Sequence, residues 1–411
     1  MKSMTQKQRS LTIAIAIFIV PFLMTFITRV TKAYIGMAYP EQSNIAVQNL
    51  ITFPSFFGMA AALLIGPIAL KFSKVKLTTF SIFLMVAHNA ITYVTGLVHG
   101  PFIWLHIGAA LGGIAIGIYI TLLNSIIADH FPPEQRAARI ANYNVWINIG
   151  GVIILYVAGW LAEGNNGANW YNAYLLGILP LIAMIIFYVM CKKNDIDTPS
   201  VVLENKQVST QKMGIKDMPM DALVWIVLMG VLHCLFYVTQ SAFNVNVSSY
   251  IITEYELGTS VEAGTATSLV RFALIPFTML YPFFKKVLKD WMIPVGYFVM
   301  AIGLVIMMTT KSLVGAYGCA IFCGMSTALV HAEFYARASR YVALPLVPVA
   351  VAVVSCLVNV GTGFSTYILR FFGNMFGGGM ANELLAGAVI SVAIAVLASV
   401  MYVFKRKPYV D

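Results

Sequence analysis

Three side chains that could bind or carry charge lie inside long apolar stretches of this sequence. Arg271 and His233 lie near the middle of their stretches, and Arg29 lies in the second half of another. A charge at the centre of a lipid bilayer costs at least about 2.5–3.5 kcal/mol, so such residues are kept for a partner or a function. No Asp or Glu lies at the depth of Arg271. We therefore expect a bound anion, or carbonyl and hydroxyl groups, to compensate Arg271.

The two arginines suggest the chemistry of the ligand. A guanidinium group is a fork of donors that matches a carboxylate with two parallel hydrogen bonds. Two arginines with Tyr and Asn neighbours are therefore typical of a site for a small organic acid. Arg29 has an alternative role, because a long side chain in the outer half of a helix can reach the membrane surface.

His233 is a titratable group near the middle of its apolar stretch. Histidine changes charge near neutral pH, so His233 is a candidate proton carrier or a hydrogen-bond donor to a ligand. A structural histidine with satisfied hydrogen bonds is an equal alternative. The absence of a carboxylate at this depth disfavours proton symport through Asp or Glu, and it leaves exchange, facilitated diffusion or histidine-linked coupling open.

Polar residues with helical spacing indicate which helices line a cavity. The stretch that contains His233 continues with Tyr237, Gln240 and Asn244, so the four lie at i, i+4, i+7 and i+11. Such stripes also form hydrogen bonds between helices, each worth about 0.6 kcal/mol. Several stripes on different helices together favour a cavity. The candidate binding residues are Arg271, Arg29, His233, Tyr237, Gln240, Asn244, Asn359, Tyr119 and Asn124.

Long apolar helices must position these side chains. The chain of 411 residues is 60% hydrophobic and 10% charged, and apolar runs of about 20 residues follow one another nearly from end to end. These runs predict an all-α membrane protein with twelve transmembrane helices in two six-helix bundles. The predicted spans, numbered one to twelve in order, are 11–36, 44–70, 77–98, 102–128, 137–161, 170–191, 221–250, 260–284, 291–310, 313–336, 344–371 and 382–404.

The basic residues report the orientation of these spans. The formal net charge is +10, and most of the Lys and Arg residues fall in connections on the same side as the N-terminus. Positive residues concentrate on the cytoplasmic side of membrane proteins. We therefore expect a multi-pass protein of the plasma (inner) membrane with both termini in the cytoplasm. Because topology accounts for the charge, nucleic acid is not an expected partner.

The chain also divides into two similar halves around a long polar connection. We expect an N-terminal bundle at 1–191, a linker loop at 192–220 and a C-terminal bundle at 221–411. In each half an acid at the end of the fourth helix, Asp129 or Glu333, precedes an arginine by seven residues. The predicted gating residues, which would hold the cytoplasmic helix ends together, are Asp129, Arg136, Glu333, Arg340 and Lys71.

The same connections carry a family resemblance. The stretch from Gly66 to Lys76, GPIALKFSKVK, lies where the major facilitator superfamily has its loop motif, and 129–136, DHFPPEQR, resembles that superfamily's stretch between helices four and five. Leu70 and Ser73 stand where the motif has Asp and Gly. The resemblance implies secondary transport by alternating access, with the third helix of each triplet outside the cavity.

These features lead to one expected function and two alternatives. We expect transport of a small organic anion, a carboxylate, by symport or antiport. The alternatives are a carrier of sugars or other neutral polar solutes and an exporter of lipophilic compounds. The sequence has no nucleotide-binding glycine loop and no metal-ligand spacing, so we expect no enzyme activity and no cofactor. The expected partners are the solute and the bilayer, and we expect a monomer.

Overall fold

The computed structural model describes residues 6–69, 71–131, 133–197, 218–340, 342 and 346–403. Regular secondary structure in these ranges is helical throughout, which confirms the predicted fold class. The helices of the first six spans are Gln6–Leu23 with Met24–Phe26 and Ile27–Ala38, Asn44–Thr52 with Pro54–Ala69, Lys74–Leu97, Ile103–His130, Pro133–Ala162, and Trp170–Gly177 with Ile178–Lys193.

The second half repeats this pattern with six further spans. Their helices are Met220–Ser249 with Tyr250–Glu254, Ser260–Met279 with Tyr281–Leu288, Met292–Thr310 after the short turn Lys289–Trp291, Leu313–Arg340, Val347–Met375, and Met380–Val403. Eleven helical segments of the described chain are long and apolar enough to cross a membrane. The helix Ser260–Met279 of span eight is less apolar, because it contains Glu262, Arg271 and several hydroxyl residues.

Prolines account for two interruptions within the spans. Pro21 lies inside the first helix, and a 3-10 turn at Met24–Phe26 separates that helix from the segment that carries Arg29. Proline lacks the backbone N–H that an α-helix needs and crowds the preceding turn. Span two likewise changes from one helix to the next at Pro54. Spans one and two are therefore each built from consecutive helical segments.

The described residues form two compact units. The first unit consists of Met1–Glu204 with Thr259–Ser268, and the second consists of Asn205–Gly258 with Leu269–Asp411. The beginning of span eight thus belongs with the first six spans. Most of the predicted linker at 192–220 lies outside the described residues, so the division into these three segments stays a prediction.

Within the first unit, span five packs closely against the beginning of span eight. The Ser260 hydroxyl donates to the Gly159 carbonyl at 2.6 Å, and the Ser268 hydroxyl donates to the Val152 carbonyl at 2.9 Å. A Cβ atom at Gly159 would lie 2.4 Å from the Ser260 oxygen, so this crossing requires glycine. Small residues that let two backbones approach are typical of helix packing in membranes.

Candidate functional site

Within the second unit, a group of polar side chains joins spans seven and ten. His233 Nε2 lies 3.3 Å from His331 Nδ1, and the same His331 nitrogen lies 3.1 Å from the Tyr237 hydroxyl. His233 is fully buried and stacks on Phe334 with 4.7 Å between ring centroids. Because His233 and Tyr237 are one turn apart, both reach the same histidine on span ten.

His331 is the main residue that the sequence reasoning missed. It follows Thr327 by four residues and precedes Tyr335 by four, so the three share one face of span ten. That spacing is the signal that identified the stripe of span seven, and it would have identified this stripe too. The Tyr335 hydroxyl lies 3.2 Å from the Ser355 hydroxyl, which extends the group to span eleven.

Arg271 of span eight belongs to the same group. It is partly exposed, and it interacts electrostatically with both Tyr237 and His331. Its position follows from close packing of spans eight and ten. A Cβ atom at Gly324 would lie 2.5 Å from the Val270 carbonyl oxygen, so only glycine allows the approach. We call His233, Tyr237, Arg271, His331 and Tyr335 the histidine–arginine cluster.

The other predicted binding residues of the second unit lie beside this cluster. One turn beyond Tyr237, the Gln240 amide donates to the Thr327 hydroxyl at 2.6 Å. Asn244 is partly exposed a further turn along the same helix. The Asn359 amide donates to the Ser355 carbonyl at 3.0 Å and is also partly exposed. Gln240, Asn244 and Asn359 therefore remain only partly covered by the rest of the protein.

The predicted binding residues of the first unit lie in different surroundings. Arg29 is partly exposed, and its guanidinium lies over the Phe26 ring at 5.1 Å. Tyr119 is buried and stacks on Phe22 at 6.4 Å between ring centroids. Asn124 is exposed, because five residues of helix turn it about 140° away from Tyr119. Tyr119 and Asn124 therefore do not share a face of span four.

At the lysine-rich end of the first unit, Asp129 pairs with a lysine. Lys74 Nζ lies 2.5 Å from Asp129 Oδ2. The predicted partner Arg136 follows a break between two helices, and its side chain lies outside the described part. Lys71 is exposed.

Two further contacts tie this end of the first unit together. The Ser73 hydroxyl begins the helix of span three by accepting from the Lys76 amide, and it donates to Asp197. Buried His130 contacts the Ile196 carbonyl through Nε2 at 2.7 Å. Burial lowers the pKa of His130, and the contact with Ile196, which acts to raise that pKa, offsets only part of the effect.

At the lysine-rich end of the second unit, Glu333 is buried among several donors. It accepts from Lys285 Nζ at 2.5 Å, from the Tyr281 hydroxyl at 2.8 Å and from Arg337 Nε at 2.7 Å. Arg337 also donates to the Asp290 carbonyl at 2.8 Å. The predicted partner Arg340 is exposed, since seven residues place it about 10 Å along the helix from Glu333.

One family model and one curated protein match the sequence of this chain. The family model of the Major Facilitator Superfamily matches residues 10–366. The uncharacterized transporter YycB of Bacillus subtilis (strain 168) is 31% identical over 181 residues, which are 43% of this chain and 40% of that protein. The chain thus matches less than half of the length of this curated relative.

Solved structures match over nearly the whole chain at low identity. An auto-inhibited POT family peptide transporter matches with a TM-score of 0.77 and 13% identity over 98% of both chains. A bacterial homolog of the human lysosomal transporter Spinster matches with a TM-score of 0.74 and 17% identity, over 98% of this chain and 99% of that one. A D-xylose–proton symporter matches with a TM-score of 0.70 and 16% identity, over 94% of this chain and 97% of that one. Identities this low establish a shared fold.

Proposed function

This chain belongs to the major facilitator superfamily of transporters, and we propose that it moves a small organic anion, a carboxylate, by alternating access. The observation that carries the proposal is the position of Arg271 in the histidine–arginine cluster, where its neighbours are a phenol and an imidazole. All three groups can donate hydrogen bonds to an anion. A guanidinium inside a membrane protein attracts anions more strongly than one in water, because the surroundings screen its charge less.

A neutral polar solute is the second candidate. Gln240 with Thr327, and Asn359 one span away, offer the amide and hydroxyl groups that bind sugar hydroxyls. These groups lie beside the cluster rather than in place of Arg271, so we rank the carboxylate first. An exporter of lipophilic compounds is the third candidate, and no contact among the described residues of the second unit favours it.

The orientation in the membrane is part of the proposal. We assign the lysine-rich ends, which carry Lys74 and Lys285, to the cytoplasmic face of the plasma (inner) membrane. Both termini then lie in the cytoplasm, and the protein works as a monomer. The ion pairs of Asp129 and Glu333 hold helix ends together at that face, which makes them candidates for the cytoplasmic gate.

Uptake into proteoliposomes tests the substrate class. Purified protein would be offered labelled lactate, succinate, xylose, dialanine and tetraphenylphosphonium, with protein-free liposomes as background. We expect uptake of a carboxylate. Arg271→Gln should reduce it at least tenfold, and Arg9→Gln, a change at an exposed arginine outside the candidate site, should leave uptake unchanged. Wild-type uptake of xylose alone, or carboxylate uptake by Arg271→Gln at the wild-type rate, would overturn the proposal.

A further inference from the structure

The two histidines of the cluster form a hydrogen-bonded pair in which His233 is buried and His331 is partly exposed. With 3.3 Å between His233 Nε2 and His331 Nδ1, one nitrogen carries the hydrogen and the other offers its lone pair. The other nitrogen of His233, Nδ1, is buried, and it has no hydrogen-bond partner among the described residues. Leaving this lone pair unsatisfied is costly, and Nδ1 is the position of His233 at which a proton can add while Nε2 keeps its contact with His331.

The groups around the pair limit how many protons it can hold. Arg271 on span eight already places one positive charge beside His331. The other titratable groups that face the pair are Tyr237 on span seven and Tyr335 on span ten, and Ser355 of span eleven is neutral. The described contacts of the pair include no carboxylate. A second proton on the pair would therefore put three positive charges together, so the pair takes up at most one.

A bound anion changes this balance in favour of one proton. The empty cluster carries one positive charge, that of Arg271. After an anion and a proton bind, the charges of Arg271, of the imidazolium and of the anion again sum to one positive charge. Opposite charges stabilise each other strongly in a medium of low dielectric constant, so each ligand raises the affinity for the other.

We infer that the His233–His331 pair is the proton-binding site of this transporter and that one proton moves with each anion. This inference rests on the proposed carboxylate substrate. The proton adds to Nδ1 of His233, and the resulting imidazolium donates from Nε2 to Nδ1 of His331. His331 is partly exposed, so it provides the contact with water through which the proton enters and leaves. A monocarboxylate and its proton cross without net charge.

Proton binding can be measured without knowing the substrate. Nitrogen-15 NMR of purified protein with labelled histidine, assigned by single His→Gln variants, would follow His233 and His331 between pH 8 and 4.5. We expect the two residues to gain one proton jointly. His331→Gln should shift the titration of His233 by about one pH unit or more. His106→Gln, a change in span four of the first unit, should not. Two histidines that titrate independently, or that both stay neutral, would overturn the inference.

Transport then tests the coupling. In proteoliposomes, an inside-alkaline gradient of one pH unit should raise accumulation of the transported carboxylate by about tenfold at one proton per anion. His331→Gln should abolish this gradient effect, and His106→Gln should retain it. Carboxylate uptake that ignores the gradient would overturn proton coupling while leaving the proposed substrate intact. Absence of any carboxylate uptake would overturn the proposed substrate class, and the NMR titration would still test whether the histidine pair binds a proton.

Discussion

The lysine-rich ends of the two units are built from corresponding parts, yet they differ in burial. In the first unit the side chains of Lys74 and Asp129 are 25% and 23% exposed, and they pair with each other. In the second unit Glu333 is 1% exposed and accepts from Lys285, Arg337 and Tyr281. The internal repeat thus preserves a lysine–carboxylate contact at each end and changes its surroundings.

This difference predicts unequal contributions to stability. An ion pair that water reaches contributes only about 0–1 kcal/mol, because water and salt screen it. Removing one partner of a buried carboxylate costs about 3–5 kcal/mol, because the remaining charge is left without compensation. The helices at the lysine-rich end of the second unit should therefore be held together more strongly than the helices at the lysine-rich end of the first unit.

The largest expected effect is that of Arg337→Leu. This change removes the Nε contact with Glu333 and the contact with the Asp290 carbonyl, while Lys285 and Tyr281 remain. We expect a loss of about 2–3 kcal/mol in the free energy of unfolding, measured by chemical unfolding in detergent micelles. Arg340→Leu, on the same helix but exposed, is the matched control and should change stability by less than about 0.5 kcal/mol. Equal losses in the two variants would contradict the comparison.

At these lysine-rich ends, the sequence predicts features that lie within one helix better than contacts between two helices. The acids Asp129 and Glu333 were predictable, because each lies at the end of the fourth helix of its half. The pairing of lysine with acid joins two different helices, so spacing along one helix could not reveal it. An arginine seven residues away lies two turns from its acid, which favours Arg337 at four residues over Arg340.

The candidate site shows the same difference between residues on one helix, which the sequence predicts, and contacts between helices, which it does not. Helical periodicity predicted His233, Tyr237 and Gln240 as one face, because these residues lie on one span. The partner His331 is on another span, and only the packing of spans seven and ten brings the two imidazoles together. The twelve spans themselves were predictable, since apolar runs of membrane length have few alternatives.

A smaller effect is expected at the start of span three. Ser73 accepts from the Lys76 amide at 3.1 Å and donates to Asp197, so Ser73→Ala removes a helix cap and a contact with the chain after span six. We expect a loss of about 1 kcal/mol in the free energy of unfolding. Ser43→Ala is the matched control, because Ser43 caps span two by accepting from the Ala46 amide. A larger loss at Ser73 than at Ser43 would measure the contribution of Asp197, and equal losses would assign it none.

The smallest expected effect is that of Lys74→Met. The variant removes the Lys74 cation from its contact with Asp129, but the acid is 23% exposed and water can solvate it. We expect a loss of no more than about 0.5 kcal/mol in the free energy of unfolding at low salt. Because dissolved ions screen charges that water reaches, the difference from wild type should shrink in about 0.5 M NaCl. Lys76→Met, an exposed neighbour, is the matched control, since its backbone amide still binds Ser73. The loss caused by Arg337→Leu should persist in the same salt. A salt-resistant loss at Lys74 as large as that at Arg337 would show that the two ends are energetically equivalent despite their different burial.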